Sequence, residues 1–189
     1  MGPMNTSLQP FVVIISGAPG AGKTTLGWEL SRYLHVPFVS RDDIKTGLHV
    51  THRSDDPNEV HRFADRAFTT FYATIDLLTD AGASVVAEAA FHREFSTPSI
   101  VALAARLQVV HVAVTTPNEL ALRRYAERAA SGRRHPAHND ARFATEMATG
   151  AKDVGGYCLD LPVRTIEVDG TDGWNPDLPA IGDFVESNR

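Results

Sequence analysis

The segment Gly17-Ala18-Pro19-Gly20-Ala21-Gly22-Lys23-Thr24 constrains this chain more than any other stretch. It matches G-x-x-x-x-G-K-[ST] at every defined position. An apolar run, Phe11–Ser16, leads into it, and a helical pattern over Lys23–Leu34 follows. A strand that passes through such a loop into a helix makes a phosphate cradle. The glycines let the backbone curl until successive N–H groups converge on phosphate oxygens, and the helix adds the positive end of its dipole. The Lys23 ammonium then reaches the outer phosphates of a nucleoside triphosphate, and the Thr24 hydroxyl is the expected ligand of Mg2+. Gly17, Ala18, Pro19, Gly20, Ala21, Gly22, Lys23, Thr24 and Thr25 are therefore the expected nucleotide-binding residues. No Asn/Thr-Lys-x-Asp guanine-reading motif occurs, so ATP is the expected nucleotide.

The pattern around the loop predicts an α/β domain. Five β-branched, apolar runs read as strands: Phe11–Ser16, Pro37–Ser40, Ser84–Glu88, Val109–Val114 and Thr165–Asp169. Near-continuous apolar strands are what a parallel sheet covered on both faces requires. Helical stretches separate them, at Lys23–Leu34, Pro57–Ala81, Thr97–Arg106, Asn118–Ser131, Asp140–Val154 and Pro176–Ser187. Alternating strand and helix implies right-handed crossovers and a five-stranded parallel sheet flanked by helices. With 189 residues, 43% of them hydrophobic, the chain suits one domain over residues 11–189. Residues 1–3 read as a remnant of tag cleavage and 1–10 as a tail. Two polar stretches, Thr46–Pro57 and Ser131–Asn139, are expected to be irregular loops.

In an open α/β sheet, residues just past the carboxyl ends of strands face the ligand crevice. Val39-Ser40-Arg41-Asp42-Asp43-Ile44-Lys45 places two carboxylates there after the second strand. Either could orient a substrate hydroxyl and take its proton as phosphorus is attacked. The competing role is helix capping, which suits Asp in a first turn. Ser84-Val85-Val86-Ala87-Glu88 ends the third strand in another carboxylate. Glu88 is open to three roles: substrate contact, water-mediated metal contact, or a structural one. His92 and Arg93 beyond it are candidates for the acceptor pocket, with a solvated loop as the alternative. After the fourth strand, Arg124 and Arg128 stand four apart and share a helix face.

Gly17–Thr24, Arg41–Lys45 and Arg124–Arg128 together resemble a known family, the small-molecule P-loop kinases of chloramphenicol-phosphotransferase-like, polynucleotide-kinase-like and zeta-toxin-like type. The likeness is sharp in the phosphate loop, moderate at the other two segments and loose elsewhere. It implies a P-loop NTPase fold with an Arg-rich lid over about residues 124–140. It implies that Asp42, the first Asp of R-D-D-x-[RK], is the proton acceptor, and that Arg41 and Lys45 meet the substrate. Lysine at position 45 replaces an arginine, which makes a bidentate grip on a substrate phosphate less fitting. The resemblance also implies that Arg128 first and Arg124 second close over the transferred phosphoryl group, and that backbone near Gly170 and Thr171 meets the adenine.

The formal net charge of −5 argues against nucleic acid as the main partner. An acidic chain must concentrate its cations where it binds an anion, and Lys23 and the Arg123–Arg134 segment do so. No apolar run is long enough to span a bilayer. Cys158 is the single cysteine and reads as a buried, inert thiol in a reducing cytoplasm. His135 and His138 lack the further partners a zinc site needs. These readings combine into an ATP- and Mg2+-dependent transfer of the γ-phosphoryl group to a hydroxyl of a small molecule such as an antibiotic, nucleoside or sugar. The protein would be a monomer or homodimer. The alternatives are a 5′-hydroxyl polynucleotide kinase and an ATP-binding switch without an acceptor.

Overall fold

Strand β1 (Phe11–Gly17) is buried at every position because it is the middle of the sheet. The computed structural model describes residues 9–53, 56–131, 135, 145–146, 149 and 155–189. The expected remnant at residues 1–3, the lid beyond Ser131 apart from His135, and nearly all of the helix expected over Asp140–Val154 lie outside them. Beside β1 run β2 (Phe38–Ser40), β3 (Val85–Glu88), β4 (Gln108–Thr115) and β5 (Arg164–Asp169). All pairings are parallel, in the order β2-β3-β1-β4-β5. The connecting helices are α1 (Lys23–Tyr33), α2 (Arg41–His52), α3 (Pro57–Asp80), α4 (Arg93–Ala104), α5 (Asn118–Ala130) and α6 (Leu178–Ser187). A short 3-10 turn, Gly155–Tyr157, precedes β5.

The period-two geometry of a strand explains the two cores. Val13 and Ile15 point to one face, where Leu26 and Leu30 of α1 and Ile181 and Val185 of α6 meet them. Val12 and Ile14 point to the other, against Phe71 and Ile75 of α3 and Ile100 and Leu103 of α4. Both faces are therefore apolar, which is why the strand reads as an unbroken hydrophobic run. Among the described residues no helix is long and apolar enough to cross a membrane.

Two elements differ from the sequence expectation. Residues 46–52, expected to be irregular, continue α2. Gly47, Val50 and Thr51 are weak helix formers, but tertiary contact overrides them. His49 is buried, and its ring stands edge-on to Phe63 of α3 at 4.8 Å. Helix α4 starts at Arg93 rather than Thr97. Pro98 therefore lies inside the helix, where it removes one N–H from the ladder. Cys158 is exposed, contrary to the expectation of a buried thiol. Its neighbour Tyr157 takes the buried position instead.

One polar side chain sits in the middle of the sheet. His111 of β4 is fully buried, with Ser16 Oγ 2.7 Å from its Nε2 and Thr165 Oγ1 3.1 Å from its Nδ1. The Thr165 hydroxyl donates to the Val163 carbonyl at 3.2 Å. It therefore accepts from Nδ1–H, which leaves Nε2 to accept from the Ser16 hydroxyl. Burial pushes the imidazole down to about 4. The unfolded chain, with an ordinary histidine near 6.5, binds the proton more tightly. The stability from a neutral His111 is thus complete above about pH 6.5 and is lost as pH falls toward 4, by roughly 3 kcal/mol at most. Thermal unfolding across this window should show a steeper acid-side fall for wild type than for His111→Gln; parallel curves would mean that the imidazole does not stay neutral.

Candidate active site

Parallel pairing delivers the carboxyl ends of all five strands to one edge of the sheet. At the end of β1 the chain turns through the glycine-rich loop. Gly20 and Gly22 have φ of 88° and 97°, in the region that favours glycine. A Cβ on Gly20 would also lie 2.2 Å from the Ala121 carbonyl oxygen, so no larger residue fits there. The turn is closed by Ala21 N–H donating to the Ala18 carbonyl at 3.1 Å. Helix α1 opens at Gly22 without a side-chain cap, so its leading N–H groups remain available to an anion. Lys23 is buried, and its Nζ donates to the Ala18 carbonyl at 2.9 Å.

The β2–β3 register sets the next contact. Ser40 pairs with Glu88. The Glu88 carboxylate accepts from Thr24 Oγ1 at 3.3 Å and from Ser40 Oγ at 3.4 Å. Ser40 Oγ also accepts from Asp43 N–H at 3.4 Å, so Ser40 caps α2. That resolves the competing role: neither aspartate is the cap. Asp42 enters the cleft, while Asp43 is exposed and does not line it. Arg41 Nη2 lies 2.6 Å from Asp42 Oδ1, and its guanidinium carbon lies 4.6 Å from the centre of the Phe68 ring.

Glu88 is the most strongly constrained group here. Burial pushes its carboxyl above the ordinary carboxylate range. The Lys23 ammonium opposes that shift, and the Asp42 carboxylate adds to it. Lys23, Glu88 and Asp42 are thus electrostatic neighbours. Thr24 and Glu88 offer adjoining oxygen donors of the kind a hard Mg2+ ion takes. Together with the loop amides and Lys23, they fit a Mg2+–triphosphate group.

These residues line a cleft of about 560 Å³. Pro19, Gly20, Gly22, Lys23, Thr24 and Thr25 form one side of it. Arg41, Asp42, Lys45, Glu88, His92 and Arg128 also line it. Gly17, Ala18 and Ala21 do not; they shape the loop from behind. Arg93 is exposed and stands outside the cleft. Arg124 also stands outside, and it parts company with Arg128. Its guanidinium donates to the Gly170 and Thr171 carbonyls, both at 2.7 Å, and so ties α5 to the loop after β5. Arg128 lines the cleft with its guanidinium carbon 4.7 Å from the centre of the Tyr125 ring. Trp174 packs against the core on that side and donates Nε1–H to Glu29 at 2.6 Å.

The structure adds residues that the sequence did not single out: Asp65, Phe68, Phe95, Ser96, Tyr125 and Tyr157. Phe68 lies one position beyond the buried stripe Phe63, Ala67, Phe71 and Ile75 on α3, so its pattern signalled only a helix face. Tyr157 carries no motif at all.

The family model described as an AAA domain matches residues 12–150. The chain belongs to that family. A comparison with curated protein sequences gives no match. Among solved structures, this AAA-domain chain is similar to one from Chloroflexus aurantiacus j-10-fl, provisionally described as a kinase. That likeness has a TM-score of 0.81 and 24% identity, covering 96% of this chain and 100% of the other. A gluconokinase from Sinorhizobium meliloti 1021 matches with a TM-score of 0.53 and 16% identity over 95% and 91% of the two chains. A shikimate kinase from Acinetobacter baumannii, solved with shikimate, matches with a TM-score of 0.52 and 21% identity over 97% and 96%. At these identities the likeness establishes the fold, a P-loop α/β fold with a five-stranded parallel sheet.

Glu88 yields a prediction about the ligand-free protein. Its folded-state pKa lies above the unfolded value, so folding favours the protonated carboxyl. The penalty is absent below the unfolded value, grows through that window and is complete above the folded pKa. Glu88→Gln should therefore melt higher than wild type at pH 7 to 8, with the difference vanishing toward pH 4. A lower melting temperature for Glu88→Gln at pH 7 would show instead that the charge holds the loop together.

Proposed function

We propose that this protein is an ATP-dependent kinase that transfers the γ-phosphoryl group to a hydroxyl of a small molecule. The observation that carries the reading is the placement of Asp42 in one cleft with Lys23, Thr24 and the glycine-rich loop. A switch protein needs only the loop; a carboxylate in the same cleft gives an incoming alcohol a place to bind. In this reading the loop amides and the Lys23 ammonium hold the phosphates, and Arg41 holds the Asp42 carboxylate in place through their 2.6 Å contact. Asp42 orients the acceptor hydroxyl and takes its proton. The acceptor oxygen bonds to the γ-phosphorus as the bond from that phosphorus to the β–γ bridging oxygen breaks, and its electron pair leaves on ADP. Thr24, with Glu88 beside it, would hold Mg2+, which supplies charge neutralisation on the phosphates. Arg128 is the lid residue that would stabilise the transferring group.

The test is ADP release with a panel of alcohols, with mass spectrometry for the gain of one phosphate on the acceptor. Lys23→Ala should abolish transfer. Asp42→Asn should lower kcat by about 10²-fold or more with ATP binding retained. Near wild-type turnover in Asp42→Asn would remove Asp42 from the mechanism. Arg128→Ala should reduce kcat more than it raises the KM for ATP; the opposite split would make it a ground-state binding residue.

A further inference from the structure

Beyond the phosphate loop and the charged side chains of Arg41, Asp42, Lys45 and Asp65, the cleft is lined by several rings. Phe68 of α3, Phe95 and Ser96 in the first turn of α4, His92 before that turn, and Tyr157 all line it. His92 organises this wall, with its ring centre 5.4 Å from that of Phe95 and 5.6 Å from that of Tyr157. Phe95 lines the cleft and yet leaves 73% of its surface exposed. Arg41 lays its guanidinium on Phe68 while pairing with Asp42, so the aromatic wall is coupled directly to the proposed base.

Two buried polar atoms in the same wall have no hydrogen-bond partner among the described residues. They are Ser96 Oγ and His92 Nδ1. Ser96 is only 2% exposed. A serine or threonine inside a helix ordinarily gives its hydroxyl to the carbonyl four residues back. Thr46, Thr69, Thr74 and Thr79 all do so here. Ser96 does not, although the His92 carbonyl four residues back already accepts its backbone N–H at 2.8 Å. A buried polar atom without a partner is costly unless something else completes it. Unpartnered polar atoms set among aromatic rings are what a pocket presents to a flat, largely apolar molecule with few polar groups.

We infer that the acceptor is an alcohol attached to an aromatic or other flat apolar ring system. The ring faces Phe68 and Phe95, a polar substituent meets Ser96 Oγ and His92 Nδ1, and the hydroxyl lies at Asp42. This narrows the proposed kinase reading and rests on it. A bare sugar or sugar acid presents only a small C–H face to these rings and carries more hydroxyls than Ser96 and His92 can meet.

The experiment compares phenylethanediol and uridine with glucose, gluconate and a 5′-hydroxyl oligonucleotide, reading both phosphate gain and direct binding by saturation-transfer NMR. Ring-bearing alcohols should exceed glucose and gluconate in kcat/KM by at least about tenfold. Phe95→Ala changes an exposed side chain and should fold normally. It should raise the KM for the ring-bearing acceptor about tenfold and leave the KM for ATP unchanged. Ser96→Ala should remove discrimination between ring-bearing acceptors with and without a polar substituent. Equal use of glucose or gluconate, preference for the oligonucleotide, or unaltered selectivity in Phe95→Ala would overturn the ring assignment while leaving the kinase reading intact. Ring binding sensitive to Phe95→Ala without phosphate gain on any alcohol would keep the pocket assignment and sink the kinase. Neither binding nor transfer would end both.

Discussion

The parallel pairing of β1 with β3, and of β3 with β2, is the constraint on which the rest of this site depends. It places Glu88 beside Ser40 and brings its carboxylate to the Thr24 hydroxyl at the start of α1. One carboxylate at the end of β3 therefore touches the strand-to-helix transitions that follow β1 and β2. Its burial carries an electrostatic penalty, only partly offset by Lys23. A fold selected for stability alone would not keep an acid there. In the proposed kinase, Glu88 would share with Thr24 the Mg2+ that accompanies the phosphates held by the neighbouring loop.

Around that point the molecule separates its tasks by secondary structure. The glycine-rich loop and α1 supply positive backbone dipoles and Lys23. The start of α2 supplies a carboxylate steadied by its neighbouring arginine, because Ser40 has taken over the capping role and left Asp42 to the cleft. Helices α3 and α4 supply the aromatic wall. Arg124 and Arg128 of α5, one turn apart, divide between support and site: Arg124 fastens the loop after β5, and Arg128 faces the cleft. Rigid anchoring by one arginine helps to set the geometry in which the other can act.

The central sheet shows the same economy. His111 could have been another valine in an otherwise apolar strand. Instead it links β1, at the residue just before the loop glycine, to the beginning of β5 at Thr165 through two hydroxyls. A satisfied polar network of this kind fixes strand register where apolar contacts alone are permissive. It therefore helps hold the strand end from which the phosphate loop departs.

The phosphate loop, the α/β class and the five strands were legible along the chain, because each is a local signal. Glycines at fixed spacing, a lysine and a threonine make the loop, and continuous apolar runs make buried strands. The sequence also placed Asp42 and Glu88 at strand ends, which the rule for open parallel sheets converts into a position at the cleft. What those residues touch was set by packing between elements distant along the chain. Helix α2 runs through weak helix formers because α3 packs on it, Arg124 and Arg128 diverge because the loop after β5 offers carbonyls to one of them, and Phe68, Phe95 and Tyr157 share a wall although they lie far apart along the chain. Such contacts depend on the register and crossing of elements distant in sequence, and no local spacing encodes them.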